Sequence, residues 1–343
     1  MQKAPTLRIR RRDGGSGWGS AIRPAGRPVA LLLVLLLVLA GTASADAPAP
    51  FDPDRALADA THLAATIGDR PAGSTGEQVA AGWLAAQFAE LGYTVRVQPF
   101  AFSTEGQQRS GMNVIATRTG QPAYGIVYAG AHFDTVKRIP GFDYGGPGAN
   151  DNASGVGVLL EAARVMAAET VTPTLTFVAF GAEELGLTGS RYYVSTLPAW
   201  EWARAEFMVN FDCVGVGDQL VLYVDRDADM AAAAALPVTP DAIERLAGGA
   251  SDQASFAEVG IPAALFSMTR EGSGPCGPDY HRSTDTAEKL ERAAIERTGI
   301  AAIDALRYLV TTAEPREAQL VYLPYLAAQP APVADPVASQ LSQ

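Results

Sequence analysis

The stretch Thr174-Leu175-Thr176-Phe177-Val178-Ala179-Phe180-Gly181-Ala182-Glu183-Glu184 runs from an apolar segment straight into two adjacent carboxylates. Thr174–Phe180 is short, bounded by a glycine and rich in β-branched and aromatic residues, so it reads as a buried strand. Charges left unpaired at the end of such a strand are costly. Glu183 and Glu184 therefore call for something that compensates them. Adjacent side chains point in different directions, which lets one acid bind a cation while the other faces a second partner. For this fragment alone, a solvated loop is the competing reading.

The same pattern recurs on either side of it. Ile126–Ala131 reads as a strand that ends in Ala131-His132-Phe133-Asp134. Period-two geometry puts the imidazole and the Asp134 carboxylate on one face, where the carboxylate can accept the second ring N–H and fix its tautomer. Phe207–Asp212 reads as another buried strand with an acid at its end. Gly148-Ala149-Asn150-Asp151-Asn152-Ala153-Ser154-Gly155 is a turn entering a helix. It holds Asp151 on a tight backbone with both oxygens free to bridge two cations, against the plainer reading of an Asx turn and N-cap. Asp279-Tyr280-His281-Arg282-Ser283-Thr284-Asp285-Thr286 adds a second histidine beside a tyrosine. The chain has three histidines; the third, His62, lies in an early helical stretch without acidic company and reads as structural. His132, Asp151, Glu184, Asp212 and His281 are residue types that bind zinc, and together they suffice for two ions.

Around these segments the pattern alternates. Helical stretches are expected near 53–67, 152–168, 189–197, 240–246, 252–259 and 286–310. Ser74-Thr75-Gly76-Glu77 reads as a capping box opening a helix to Leu91, with Gly92 as its stop. Strands are expected at 94–102, 112–118 and 263–266, with 220–224 at a sheet edge. Strands alternating with helices imply an α/β fold, a three-layer sandwich whose mostly parallel, mixed, twisted sheet is flanked by helices. In such sheets ligands gather beyond the carboxyl ends of the strands, where the five candidate residues fall.

The N-terminal region joins a basic stretch (Arg8, Arg10, Arg11, Arg12, Arg23, Arg27) to an apolar run, Val29–Ala40, and then to Ala43-Ser44-Ala45. These are the parts of a secretory signal peptide, with cleavage expected after Ala45 and export to the periplasm or medium. The run is shorter than the roughly 18–20 apolar residues needed to span a bilayer, so no stable membrane association is expected after cleavage; an uncleaved anchor is the rival. Residues 46–312 are expected to form one domain, and residues 313–343, rich in Pro and Ala, a tail with little capacity to form a core. Removing residues 1–45 takes away seven Lys/Arg and one Asp, so the formal charge moves from −11 to −17. Such a chain repels nucleic acid. Two cysteines in an exported protein invite a disulfide. On a strand, however, Cys213 points away from the face carrying Asp212, which favours two unpaired thiols.

These motifs resemble the secreted di-zinc aminopeptidases of the bacterial leucyl aminopeptidase type, relatives of glutamate carboxypeptidase and glutaminyl cyclase. The likeness covers residues 70–309, including Asp69-Arg70-Pro71-Ala72-Gly73-Ser74 and Ser251-Asp252-Gln253-Ala254-Ser255-Phe256. The resemblance implies the phosphorylase/hydrolase-like architecture and two zinc ions bridged by Asp151. His132 and Asp212 would complete one site, and Glu184 and His281 the other. It also implies Glu183 as general base, Asp134 behind His132, Tyr280 as donor to the developing oxyanion and a cis peptide at Asp151–Asn152. Peptides with a free N-terminus would be the substrates and the protein a monomer. Gln253 stands where relatives often carry His or Tyr, which leaves fine specificity open. The interval between Val114 and Val127 is too short for an inserted protease-associated domain. The alternatives are a carboxypeptidase of the same fold, using Arg270 or Arg282 for the substrate carboxylate, a one-zinc glutaminyl cyclase, and a binding ectodomain that has lost its chemistry.

Overall fold

A computed structural model describes residues 50–313 apart from 123 and 247–249. The expected signal peptide and nearly all of the Pro/Ala-rich tail lie outside the described residues. The described chain folds around one eight-stranded sheet in the order β1-β2-β4-β3-β5-β8-β6-β7. The strands are β1 (Thr94–Thr104), β2 (Gln107–Arg118), β3 (Ile126–His132), β4 (Thr174–Phe180), β5 (Ala205–Phe211), β6 (Gln219–Val224), β7 (Ala242–Arg245) and β8 (Ala263–Thr269). β4, β3, β5 and β8 form a parallel centre, while β2 joins β4 and β6 joins β8 antiparallel.

The central strands are apolar throughout because both faces are covered, as parallel sheets require. On β4, Leu175, Phe177 and Ala179 enter one core, together with Val127, Ala129 and Ala131 of β3. Val178 and Phe180 enter the other, with Ile126 and Tyr128. Helices α1 (Pro53–Thr61), α2 (Thr75–Glu90), α3 (Gly155–Ala167) and α8 (Arg292–Thr312) contribute Ala60, Leu84, Leu159 and Leu306 to the first core. Helices α4 (Thr188–Ser195) and α7 (Gln253–Glu258) contribute Tyr193 and Phe256 to the second. The expected three-layer α/β sandwich is therefore present. Gly130 is required at the middle of β3, since a Cβ there would lie 2.6 Å from Phe180 and 2.7 Å from Met208.

Three local expectations change. The segment expected as a helix near 240–246 is instead β7, an edge strand. Its residues have adequate helix propensity, but their backbone pairs with β6, and Asp241 fixes the register by accepting the N–H of Leu220 at 2.7 Å. β6 is consequently an interior strand. Two short helices complete the set, α5 (Ala199–Trp202) before β5 and α6 (Asp227–Ala234) between β6 and β7. β1 and β2 are also longer than expected, because a two-residue turn at Glu105-Gly106, both with positive φ, closes them into a hairpin.

The chain passes from β3 to β4 on one side and later to β5 on the other. The carboxyl end of β3 is thus a switch point of the topology, where an open α/β sheet leaves a crevice. No described helix is long and apolar enough to cross a membrane.

Candidate metal centre

His132 ends β3, Glu183 and Glu184 follow β4, and Asp212 follows β5, so three adjacent strands deliver their polar ends into that crevice. Asp151 and His281 come from the loops before α3 and before α8. The geometry centres on Asp151. Its Oδ1 lies 3.2 Å from His132 Nε2, and its Oδ2 lies 3.3 Å from His281 Nε2. His132 Nε2 is also 3.5 Å from Asp212 Oδ1, and His281 Nε2 is 3.0 Å from Glu184 Oε2. One carboxylate thus stands between two histidine–carboxylate pairs. Glu183 belongs to neither pair; its Oε2 lies 4.0 Å from His132 Nε2.

The donor set fits a bound cation. Among the described residues, His132 Nδ1 and Nε2, His281 Nε2, Asp212 Oδ1 and Glu184 Oε1 are buried without a hydrogen-bond partner. Orphaned buried polar atoms are rare in native proteins and call for an explanation such as an ion. Imidazole nitrogens and carboxylate oxygens converging in this way are zinc-type ligands. His132, Asp151 and Glu184 each offer an atom within 4.8 Å of the others.

Burial raises the pKa of both Glu183 and Glu184 well above the usual carboxylate range. For Glu183 the nearby His132 opposes this, while Asp252, Asp212 and Glu184 add to it. Burial likewise pushes Asp252 up to about 7. Its two oxygens have no hydrogen-bond partner among the described residues. Burial opposes protonation of His132, but the carboxylates around it prevail and raise its pKa, whereas at His281 burial prevails and lowers it. A bound cation reverses this logic by favouring the ionised carboxylates.

Each loop is pinned by a polar clamp. Asp134 Oδ1 lies 3.5 Å from His132 Nδ1, while its two oxygens accept the N–H groups of Glu183 (3.0 Å) and Glu184 (3.3 Å). It thereby ties the acidic turn to the end of β3. Asp285 accepts the N–H groups of Asn150 (2.8 Å) and Asp151 (3.0 Å). Arg70, fully buried, donates to the carbonyls of Phe133 (2.6 Å), Pro147 (2.7 Å) and Gly148 (3.1 Å). One guanidinium therefore joins the segments just after His132 and just before Asp151; burial lowers its pKa to about 10. The Asp151–Asn152 peptide is cis. Tyr280 is 48% exposed, with its ring stacked on that of His281 at 3.7 Å.

Sequence reasoning gave no role to Arg70 or Asp285, although both stand in stretches it singled out. The partners through which they join the site's loops are backbone atoms 63 to 135 residues away, which no side-chain pattern discloses. The capping box is half formed. Ser74 caps Glu77 N–H at 3.2 Å, but the Glu77 carboxylate turns to the N–H groups of Gly73 (2.6 Å) and Met112 (3.3 Å). The reading of two unpaired thiols is overturned: Cys213 and Cys276 form a disulfide. Cys213 lies beyond the end of β5 with φ +55°, so strand alternation no longer governs where its side chain points.

Residues 113–306 match the family described as "Peptidase family M28". The match spans more than half of the chain, and the chain belongs to that family. It is 33% identical to leupeptin-inactivating enzyme 1 of Streptomyces exfoliatus over 298 residues, covering 78% of this chain and 64% of that protein. It is 36% identical to aminopeptidase YwaD of Bacillus subtilis over 183 residues, covering 51% and 39% respectively. The chain therefore spans less than two thirds of these curated relatives. In fold it is similar to BSAP, a zinc aminopeptidase from Bacillus subtilis, with a TM-score of 0.67 at 21% identity over 78% of this chain and 97% of that one. It is also similar to a glutaminyl cyclase of Porphyromonas gingivalis, with a TM-score of 0.60 at 24% identity over 76% and 98%.

Proposed function

We propose that this protein is an exported aminopeptidase that hydrolyses the first peptide bond of peptides using two zinc ions. The observation that carries this reading is Asp151, whose two oxygens each face a different histidine–carboxylate pair. His132 and Asp212 would hold one ion, Glu184 and His281 the other, and Asp151 both. Two such cations, when bound, lower the pKa of a shared water and stabilise the attacking and leaving oxygens. Glu183, close to His132 but outside both pairs, accepts the water proton and returns it to the leaving amine. Tyr280, on the exposed side of His281, donates from its hydroxyl to the developing oxyanion. The surplus of carboxylates over cations around the cleft favours a substrate bearing a free α-ammonium group.

Two related activities are less well supported. A carboxypeptidase needs a cation for the substrate's terminal carboxylate. Arg270 is committed to Glu291 at 2.8 Å, and Arg282 lies 3.7 Å from Asp143. A glutaminyl cyclase needs one zinc, yet all five candidate ligands are present and converge. We further infer that residues 1–45 direct export and are removed, that residues 46–312 form the catalytic domain, and that it acts as a monomer.

The test is hydrolysis of an aminoacyl anilide by the mature chain, with zinc quantified and then removed by chelator. About two zinc per chain and chelator-sensitive release of the anilide are expected. Cleavage of N-acetylated peptides at comparable rates would rule out the aminopeptidase reading.

A further inference from the structure

Residues 270–286, between β8 and a short turn leading to α8, form neither helix nor strand, and they carry Tyr280 and His281. Their backbone hydrogen bonds are mostly local turns, such as Ser273 to Arg270, Gly277 to Gly274 and Arg282 to Asp279. A loop this long without secondary structure is unusual inside a compact domain and is commonly functional. On the C-terminal side of His281, several contacts hold it. Gly145 N–H reaches the His281 carbonyl at 2.9 Å, Ser283 bonds Asp143 through both N–H and hydroxyl, and Asp285 receives Asn150 and Asp151.

On the N-terminal side the anchoring is different. Between Glu271 and Tyr280, the covalent and polar links to the rest of the domain among the described residues are the Cys213–Cys276 bridge, a 3.2 Å hydrogen bond from Asn150 Nδ2 to the Cys276 carbonyl and the Lys289–Asp279 ion pair. The far end of the bridge is fixed. Cys213 is fully buried, its carbonyl accepts Met268 N–H at 3.0 Å, and it directly follows Asp212. The bridge therefore joins a rigid strand end carrying one candidate ligand to an exposed loop carrying another.

We propose that the Cys213–Cys276 bridge is a positioning element for the His281 half of the centre, and that a reductant can release it. The bridge acts through His281 and Tyr280 and touches no substrate itself. It rests on the di-zinc reading above. Reduction by a phosphine breaks the S–S bond and yields two thiols with two protons from water, while the phosphine takes the water oxygen and becomes the phosphine oxide. Once released, residues 271–280 keep the Asn150–Cys276 hydrogen bond, the Lys289–Asp279 ion pair and a hydrogen bond from Thr284 to Asp279, and His281, still tied through its carbonyl, is held less closely against Glu184 and Asp151. The zinc held by that half is lost first, and the His132 half is left intact.

The experiment compares the native chain with a Cys213→Ala/Cys276→Ala double variant, and with native chain reduced by tris(2-carboxyethyl)phosphine and alkylated. In metal-free protein, amides of residues 271–282 should exchange with solvent at least tenfold faster without the bridge, while those of Ile126–His132 keep their native rate. Zinc titrated against a chelator should show the weaker-held ion lost at a tenfold lower chelator concentration, with the tighter one unchanged within threefold. Exchange and zinc retention both within twofold of native would overturn the proposal, as would faster exchange with native zinc retention. Loss of a cooperative melt in both unbridged forms would also overturn it, because the bridge would then hold the whole domain. A native chain that binds no zinc overturns the di-zinc reading and takes the zinc part of this proposal with it. Native zinc binding with no difference between the forms overturns this proposal alone.

Discussion

The two halves of the candidate centre are built by different means. The His132 half sits on strand ends: His132 is 1% exposed, flanked by cores on both faces of the sheet, and its loop is gripped by Arg70 and Asp134. The His281 half hangs on a long irregular segment, with the His281 side chain 22% exposed and its neighbour Tyr280 half exposed. Catalytic sites commonly pair a rigid scaffold with loops. Under the proposed function, the first half would fix where chemistry happens, and the second would leave room for a peptide to enter and leave.

The sharpest way to break that division is Glu183→Gln. It should retain both zinc ions and lower kcat by about 10²–10⁴, the span associated with a general base. Near-normal turnover would remove the proton-carrying role from the rigid half. Next in size is Arg70→Met, which leaves several carbonyls around the His132 half without their donor. Lost bonds to a charged donor cost about 1.5–3 kcal/mol each, so a loss of at least about 3 kcal/mol is expected in denaturant unfolding. An unchanged midpoint would show that the clamp is dispensable. Tyr280→Phe probes the other half. A roughly tenfold fall in kcat with little change in KM is expected, equivalent to about 1.4 kcal/mol, and a change in KM alone would make Tyr280 a binding residue.

The smallest effect concerns Glu77, which is fully buried under the acidic turn and whose pKa burial raises to about 7. A carboxyl group raised on folding favours the folded state below its unfolded pKa, and that contribution is lost as pH rises through 7. In Glu77→Gln this pH-dependent component should vanish, so the melting temperature should fall less between pH 5 and pH 8. The variant should also lose about 1–2 kcal/mol throughout, because an amide cannot accept from both Gly73 and Met112. An unaltered pH slope would show that Glu77 does not titrate there.

Much of this arrangement was legible in the chain because strands covered on both faces announce themselves as apolar runs. An acid or imidazole at the end of such a run is conspicuous. The α/β sandwich and the neighbourhood of His132, Glu183, Glu184 and Asp212 follow from that single signal. What escaped it was whatever depends on contacts between distant backbone atoms. Arg70 looks like any arginine in a turn until the carbonyls of Phe133 and Gly148 converge on it. The 242–245 segment has helical propensity and becomes a strand only because β6 offers it an edge. Cys213 defied the alternation rule by lying two residues past the strand to which the rule applies.

The parity of β3 has a consequence for how this protein can change. Odd-numbered residues from Val127 to Ala131 belong to one layer, while Ile126 and Tyr128 belong to the other, the side shared by parity with His132. A substitution along β3 leaves the alternation of its other side chains as it was. Inserting or deleting a single residue between Val127 and Ala131 would exchange the layers and turn the imidazole towards the wrong side. The spacing from Ile126 to His132 is therefore locked by strand alternation, a constraint that the irregular segments around the cleft do not share.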